Sequence, residues 1–110
     1  MLGSGPDLSE PLYFLSKAYI DTGQFQDGEK AAEELVAVQE GRVSPTDRRF
    51  GASHLLWARA LVGQHRDREA LPHAEIADRL LAVNAVSTGG KQMGTEAHQL
   101  LVDIRGRLYK

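Results

Sequence analysis

The sequence predicts an all-α fold of antiparallel helical hairpins, and three observations lead to this prediction. Apolar residues recur at helical spacing along most of the 110 residues, and runs that alternate as in a β-strand are missing. Signals for helix starts and stops then divide the chain into short segments. We expect five helices, at residues 8–22, 25–40, 45–63, 66–83 and 91–109. The length is that of one domain with a modest core.

Capping signals delimit the first predicted hairpin. Asp7 can accept hydrogen bonds from free amides of the first helix, with Glu10 three residues later as in a capping box. Gly23 and Gly41 each follow a helical segment and can adopt the left-handed conformation that ends a helix. Gly28, inside the second helix, costs about 1 kcal/mol relative to alanine. We therefore expect Gly28 to permit a close approach of two backbones.

The second predicted hairpin begins at a Ser-Pro-Thr-Asp segment. Ser44 is expected at the N-cap of the third helix and Pro45 at its first position. Either Gly63 or the following Gln-His pair must make the turn into the fourth helix, which Pro72 is expected to bend. Residues 84–90 contain Ser, Thr and two Gly, and they predict a flexible break before the last helix.

An internal repeat relates the two hairpins. Residues 15–28 align with residues 57–70, an offset of 42 residues. In both segments a large apolar residue is followed at once by a small one, and a second small residue opens the next helix. Small residues are expected where two helices nearly touch, with large ones filling the gaps between hairpins. The aligned pairs are Leu15 with Trp57, Ser16 with Ala58, Tyr19 with Leu61, Gly28 with Ala70, Ala32 with Ala74, and Leu35 with Ala77.

This pattern resembles the tetratricopeptide repeat family, in a long-period variety of about 42 residues rather than the usual 34. The resemblance implies antiparallel hairpins at 8–40 and 45–83, stacked as a short right-handed superhelix, with a C-terminal capping helix at 91–109 and a flexible leader at 1–7. Gly28 and His54 depart from the residues that the family favours. The matching positions are Leu12, Leu15, Ser16, Tyr19, Gly23, Phe25, Gly28, Ala32 and Leu35 in the first unit, and His54, Trp57, Ala58, Leu61, Ala70, Ala74 and Ala77 in the second.

The same resemblance implies a concave groove that binds a peptide or a partner protein. Lys17, Arg59 and Arg105 would give that groove local positive charge, which favours an acidic or C-terminal carboxylate peptide. The alternative is that these three side chains belong to ordinary solvated helix faces. The residues predicted to line the groove are Tyr13, Lys17, Ile20, Ala52, Leu55, Arg59, Val62, His98, Leu101 and Arg105.

Composition argues against several other classes of function. The chain has no cysteine and a net charge of −2, so thiolate metal sites are excluded and a nucleic-acid partner is not expected. No apolar run is long enough to span a membrane, and residues 1–6 do not resemble a signal peptide, so we expect a cytoplasmic protein. No pair among the four histidines has the i, i+4 spacing of a metal site. We therefore expect no metal and no cofactor.

The side chains with chemical or ligand-binding potential have ordinary structural explanations. Trp57 and Tyr19 are expected in the core rather than stacked on a ligand, and His73 on an exposed face. No Gly-rich phosphate loop or Ser-His-acid set is evident, so the chain is not expected to be an enzyme. A protein-interaction module, in a larger signalling or regulatory protein, is the favoured interpretation. A structural unit is the alternative, because Tyr13 and Phe14 widen the apolar surface of the first helix and can pack on a second copy or an adjacent domain.

Overall fold

The computed structural model describes residues 7–83 and 88–110, and these residues form an all-helical structure. The predicted fold class is confirmed at that level, because the described residues contain no strand beyond an isolated bridge between Glu40 and Val43. Residues 84–87 of the predicted flexible break lie outside the described residues, whereas residues 88–90 already belong to the last helix. The helices are α1 (Ser9–Asp21), α2 (Phe25–Gln39), α3 (Arg48–Gly63), α4 (Asp67–Val83) and α5 (Thr88–Leu108).

Helix α3 begins three residues later than the sequence predicted. Asp47, not Ser44, is its N-cap, and the Asp47 carboxylate accepts a hydrogen bond from the amide of Arg49 at 2.8 Å. Ser44 and Pro45 instead build a tight turn, in which the Asp47 amide donates to the Ser44 carbonyl at 2.9 Å. Proline favours the second position of such a turn as readily as the first turn of a helix. The segment that was predicted to start α3 therefore forms the turn that precedes the helix.

The other helix ends follow the glycine and turn signals more closely. Gly23 and Gly41 both have φ of +82°, the left-handed conformation expected after α1 and α2. After α3, His65 takes this role with φ of 60°, so the Gln-His pair makes the turn. Gly63 meets a different need, because a Cβ atom there would overlap the ring of Phe25. Pro72 lies within the second turn of α4, and the helix continues through it.

The five helices form an open stack. Each contacts its neighbour in sequence, and the first helices of successive hairpins also touch, so that α1 contacts α3 and α3 contacts α5. Within the described residues α2 does not contact α4, and α1 contacts neither α4 nor α5. The principal extents of 51 × 30 × 21 Å match this elongated arrangement. Among the helices described, none has the length and apolarity that crossing a lipid bilayer requires.

Small residues lie at the helix contacts, as the repeat pattern predicts. In the first hairpin the Ser16 hydroxyl donates to the Gly28 carbonyl across the interface at 2.9 Å. A Cβ atom on Gly28 would lie only 2.6 Å from Cγ1 of Ile20, so the expected close approach of α1 and α2 is present. The small residues of both units that are fully buried at these contacts are Ser16, Ala32, Ala58, Ala70, Ala74 and Ala77.

Candidate functional site

Helices α1, α3 and α5 share one face of the stack and form a groove there. Alternating hairpins make these three helices run in the same direction, so equivalent turns of each lie side by side. The central cavity of the groove has a volume of about 670 Å³. Its lining comes from all three helices and consists of Lys17, Asp21, Leu55, Arg59, Thr95, Glu96, Gln99, Leu100 and Asp103.

The groove continues beyond the central cavity at both ends. Toward the start of the helices, Tyr13, Ala52 and Met93 line a cavity of about 400 Å³. Toward their ends, Ile20 and Val62 line a cavity of about 430 Å³ that shares residues with the central one. Apolar side chains from each helix therefore recur along the length of this face.

The structure brings together seven of the ten residues that the resemblance implied for the groove. Tyr13, Lys17 and Ile20 lie on α1 at one-turn intervals, and each lines one of the three cavities. The α3 residues Leu55, Arg59 and Val62 follow the same order along the groove, with Leu55 and Arg59 at the central cavity and Val62 at the last one. Ala52 precedes them in the chain and lines the first cavity.

His98 and Arg105 of α5 are not among the groove residues. The Nδ1 atom of His98 lies 3.1 Å from a carboxylate oxygen of Asp78, and Arg105 donates to Glu75 at 3.2 Å, so both side chains lie against α4. Leu101, which was also expected in the groove, is buried in the core.

The groove positions of α5 come two residues earlier in the chain than predicted. A shift of two residues turns a helix face by about 200°, which explains why the expected residues face α4. Glu96, Gln99 and Asp103 occupy the groove instead. The sequence held a signal for this register, because Ala97 precedes Leu101 by one turn and is the small residue that packs in the core.

The charge of the groove also differs from the expectation of a positive surface. Lys17 donates to one carboxylate oxygen of Asp21 at 2.7 Å, and Arg59 donates to the other at 3.0 Å. These hydrogen bonds, from Lys17 and then Arg59, lower the pKa of Asp21 below its ordinary value of 3.8. Because α5 contributes Glu96 and Asp103 to the same cavity, acidic groups outnumber basic ones there.

A cluster of rings lies on the opposite side of α3 from the groove. The Nδ1 atoms of His54 and His73 are 2.9 Å apart, so one imidazole donates a hydrogen bond to the other. The His73 ring stacks on Trp57 with 4.0 Å between ring centroids, and Phe50 meets His54 edge-on at 4.8 Å. At 100° per residue, the three α3 members of this cluster face away from Leu55.

The ring cluster corrects one sequence prediction. His73 was expected on an exposed face, but its ring is half-buried against Trp57. Burial, and then the neighbouring His73, lower the pKa of His54 to about 4. Burial also lowers the pKa of His73. Both imidazoles are therefore neutral near neutral pH. In the part of the chain that the structure describes, no three His, Asp or Glu side chains converge as metal ligands.

Comparison of the chain with protein-family models, with curated proteins and with solved structures finds no match.

Proposed function

We propose that this chain is a protein-interaction module of the tetratricopeptide type, and that the face formed by α1, α3 and α5 binds a peptide or a segment of a partner protein. The observation that carries the proposal is the groove itself. Three helices from successive hairpins line it, and apolar side chains recur along its length beside polar ones. Binding sites commonly combine an apolar surface with a few placed polar groups.

The order of helix contacts supports the tetratricopeptide-like superhelix as part of this proposal. Helix α1 contacts α3 and α3 contacts α5, whereas α2 does not contact α4 in the described residues. The second helices of the two hairpins, α2 and α4, are therefore farther apart than the first helices. That arrangement supports a stack with one concave side. The 42-residue offset and the buried small residues at equivalent positions point in the same direction.

A binding role is favoured over catalysis because two of the three carboxylates in the central cavity, Asp21 and Asp103, are engaged with neighbouring side chains. Asp21 is held by two cations, and Gln99 donates to Asp103 at 2.9 Å. A general base or nucleophile would need a free partner at a reacting atom. We propose no cofactor for the groove.

Selection of peptides from a displayed random library tests the proposal, with two neighbouring variants of α5. Gln99→Trp places a large ring inside the central cavity, whereas His98→Trp places the same ring one residue away, beside Asp78 of α4. We expect selected peptides to lose at least about tenfold in affinity for Gln99→Trp and to bind His98→Trp as they bind the parent chain. Equal binding to both variants would place the binding site elsewhere.

A structural or oligomerisation role is the second candidate, and the outer surface of α1 favours it. Leu8, Phe14 and Leu15 are 48%, 60% and 44% exposed, which is unusual for large apolar side chains so close together. Such a surface at the end of a repeat stack fits packing on a second copy or on an adjacent domain.

Sedimentation over a range of concentrations tests this second role. A self-associating chain should become monomeric when Phe14 and Leu15 are both replaced by serine. The matched control replaces Val102 and Tyr109, which are exposed at the other end of the stack, by serine. A parent chain that is monomeric at every concentration would exclude self-association and leave packing on another domain.

A further inference from the structure

The groove has two walls of different charge. On the wall formed by α1 and α3, both oxygens of the Asp21 carboxylate are bonded to cations, to Lys17 at 2.7 Å and to Arg59 at 3.0 Å. One carboxylate with two cations leaves this wall with a single positive charge, and both cations are already held by a partner.

The α5 wall is acidic and its carboxylates are not neutralised. Glu96 forms no ion pair with any residue that the structure describes. Asp103 accepts a hydrogen bond from Gln99, and the nearby Arg107 is bonded to Asp67 instead. The two carboxylates are seven residues apart on one helix, a separation of about 10 Å along its axis.

Apolar side chains lie between these walls. The half-buried Leu100 of α5 and Leu55 of α3, which is only 4% exposed, line the same central cavity as Glu96 and Asp103. Lysine and arginine combine an aliphatic stem with a charged end, so either can lay its stem on leucine side chains and direct its cation to a carboxylate. A glutamate or aspartate in the same place would instead meet two uncompensated negative charges.

Resting on the proposed peptide-binding role, we propose that the groove binds an amphipathic helix with basic residues at positions i and i+7 and apolar residues at i+3 and i+4. A helix lying along α5 repeats its spacing, so that two basic side chains about 10 Å apart meet Glu96 and Asp103 together. The apolar residues between them rest mainly on Leu100, because Leu55 offers little exposed surface. The groove therefore selects a basic partner, the reverse of what the predicted positive surface implied.

Two synthetic helical peptides test this assignment by fluorescence anisotropy. One carries lysine at i and i+7 with leucine at i+3 and i+4, and the other is identical except for glutamate in place of both lysines. We expect the lysine peptide to bind about tenfold or more tightly than the glutamate peptide, and its binding to weaken as salt is added. Tighter binding of the glutamate peptide, or no binding of either, would overturn the assignment.

Matched variants separate recognition in the groove from general attraction to an acidic protein. Glu96→Gln with Asp103→Asn removes two negative charges from the groove, and Glu33→Gln with Glu34→Gln removes two from the exposed side of α2. We expect the groove double variant to bind the lysine peptide about fivefold or more weakly than the parent chain does. The α2 double variant should lose less than about twofold in affinity for the same peptide. Equal losses in both double variants would contradict the proposal.

Whether the groove binds any ligand is tested separately, by the selection from the peptide library. Library-selected peptides that Gln99→Trp blocks would support a groove ligand even where the lysine peptide fails. In that case the charge assignment alone would be wrong, and the proposed function would stand.

Discussion

The Nδ1 atom of His54 lies 2.9 Å from the Nδ1 atom of His73, and this hydrogen bond joins α3 to α4 on the side of the stack away from the groove. Only one of the two Nδ1 atoms can carry the shared proton, so the ring that accepts the bond must be neutral. Protonation of both rings would place two N–H groups face to face in a half-buried site. The contact therefore depends on pH.

We predict that stability falls between about pH 6.5 and pH 4 as the pH is lowered. Above this range His54 is neutral in both folded and unfolded chains; within it the unfolded chain takes up a proton that the folded chain, with a His54 pKa of about 4, does not. For this one group, the free energy of unfolding changes by at most about 1.4 kcal/mol per pH unit, and by on the order of 2 kcal/mol between about pH 7 and pH 5. Urea unfolding at these two pH values measures the difference.

Two variants attribute the pH effect to His54. His54→Phe keeps an aromatic ring beside Phe50 and Trp57 and should flatten the pH dependence, leaving a smaller part from His73, whose pKa is also lowered. His98→Gln, on an exposed side chain, should leave the fall in stability at low pH in place. An unaltered slope in His54→Phe would show that other groups cause it.

Gly28→Ala should destabilise the chain by about 1–3 kcal/mol, although alanine is the better helix former. The added Cβ would lie 2.6 Å from Cγ1 of Ile20, a stiff β-branched side chain, and α1 and α2 would have to separate. Gly106→Ala in α5 is the control, because its Cβ would meet nothing within 4 Å. Thermal unfolding should show Gly106→Ala to be stabilised by about 0.5–1 kcal/mol, and a stabilised Gly28→Ala would refute the close packing.

Ala74→Leu tests the role of small residues in α4. Ala74 is completely buried between α4 and its neighbours, so three extra carbon atoms should cost about 1–3 kcal/mol in the free energy of unfolding. Ala82→Leu makes the same change on the exposed surface of the same helix and should stay within about 0.5 kcal/mol of the parent. Chemical unfolding that shows equal effects would remove the packing explanation.

Arg107→Gln should loosen the last turns of α5. Its guanidinium donates to both carboxylate oxygens of Asp67, at 2.7 and 3.1 Å, and this pair ties the end of α5 to the start of α4. Both side chains are partly exposed, so we expect the local stability of this helix end to fall by about 0.5–1 kcal/mol. The loss should be seen as faster amide exchange in the last turns of α5. Arg79→Gln, an exposed α4 variant, should not change that exchange. Unchanged protection in Arg107→Gln would mean that apolar packing alone holds α5.

Local signals in the sequence were sufficient to predict the helices. The left-handed glycines and the small residues at the hairpin contacts depend on backbone geometry that a few residues determine, as at Gly23 and Ser16. Tyr13, Lys17, Leu55 and Arg59 came from the resemblance to tetratricopeptide repeats, and they lie on one surface because residues one turn apart share a face of a helix.

The errors have a common origin in choices that neighbours in space decide. Ser44 and Pro45 are compatible with a turn or with a helix start, and they form the turn while Asp47 caps the helix. The register of α5 depended on whether Ala97 or a later residue packs in the core, and no repeat match constrained it. His73 is polar by composition, yet the flat ring of Trp57 on α3 gave it a stacking partner that is 16 residues distant in the chain.

Helix α3 contacts all four other helices, and the two outermost helices, α1 and α5, have no contact with each other in the described residues. The separation of the groove walls therefore depends on how α1 and α5 are each oriented on α3, because no described contact joins α1 to α5. A small rotation at either α3 interface changes the width of the opening and leaves the paired hairpin intact. We therefore expect a partner bound as proposed to change the separation of α1 and α5 through rotation of either helix on α3.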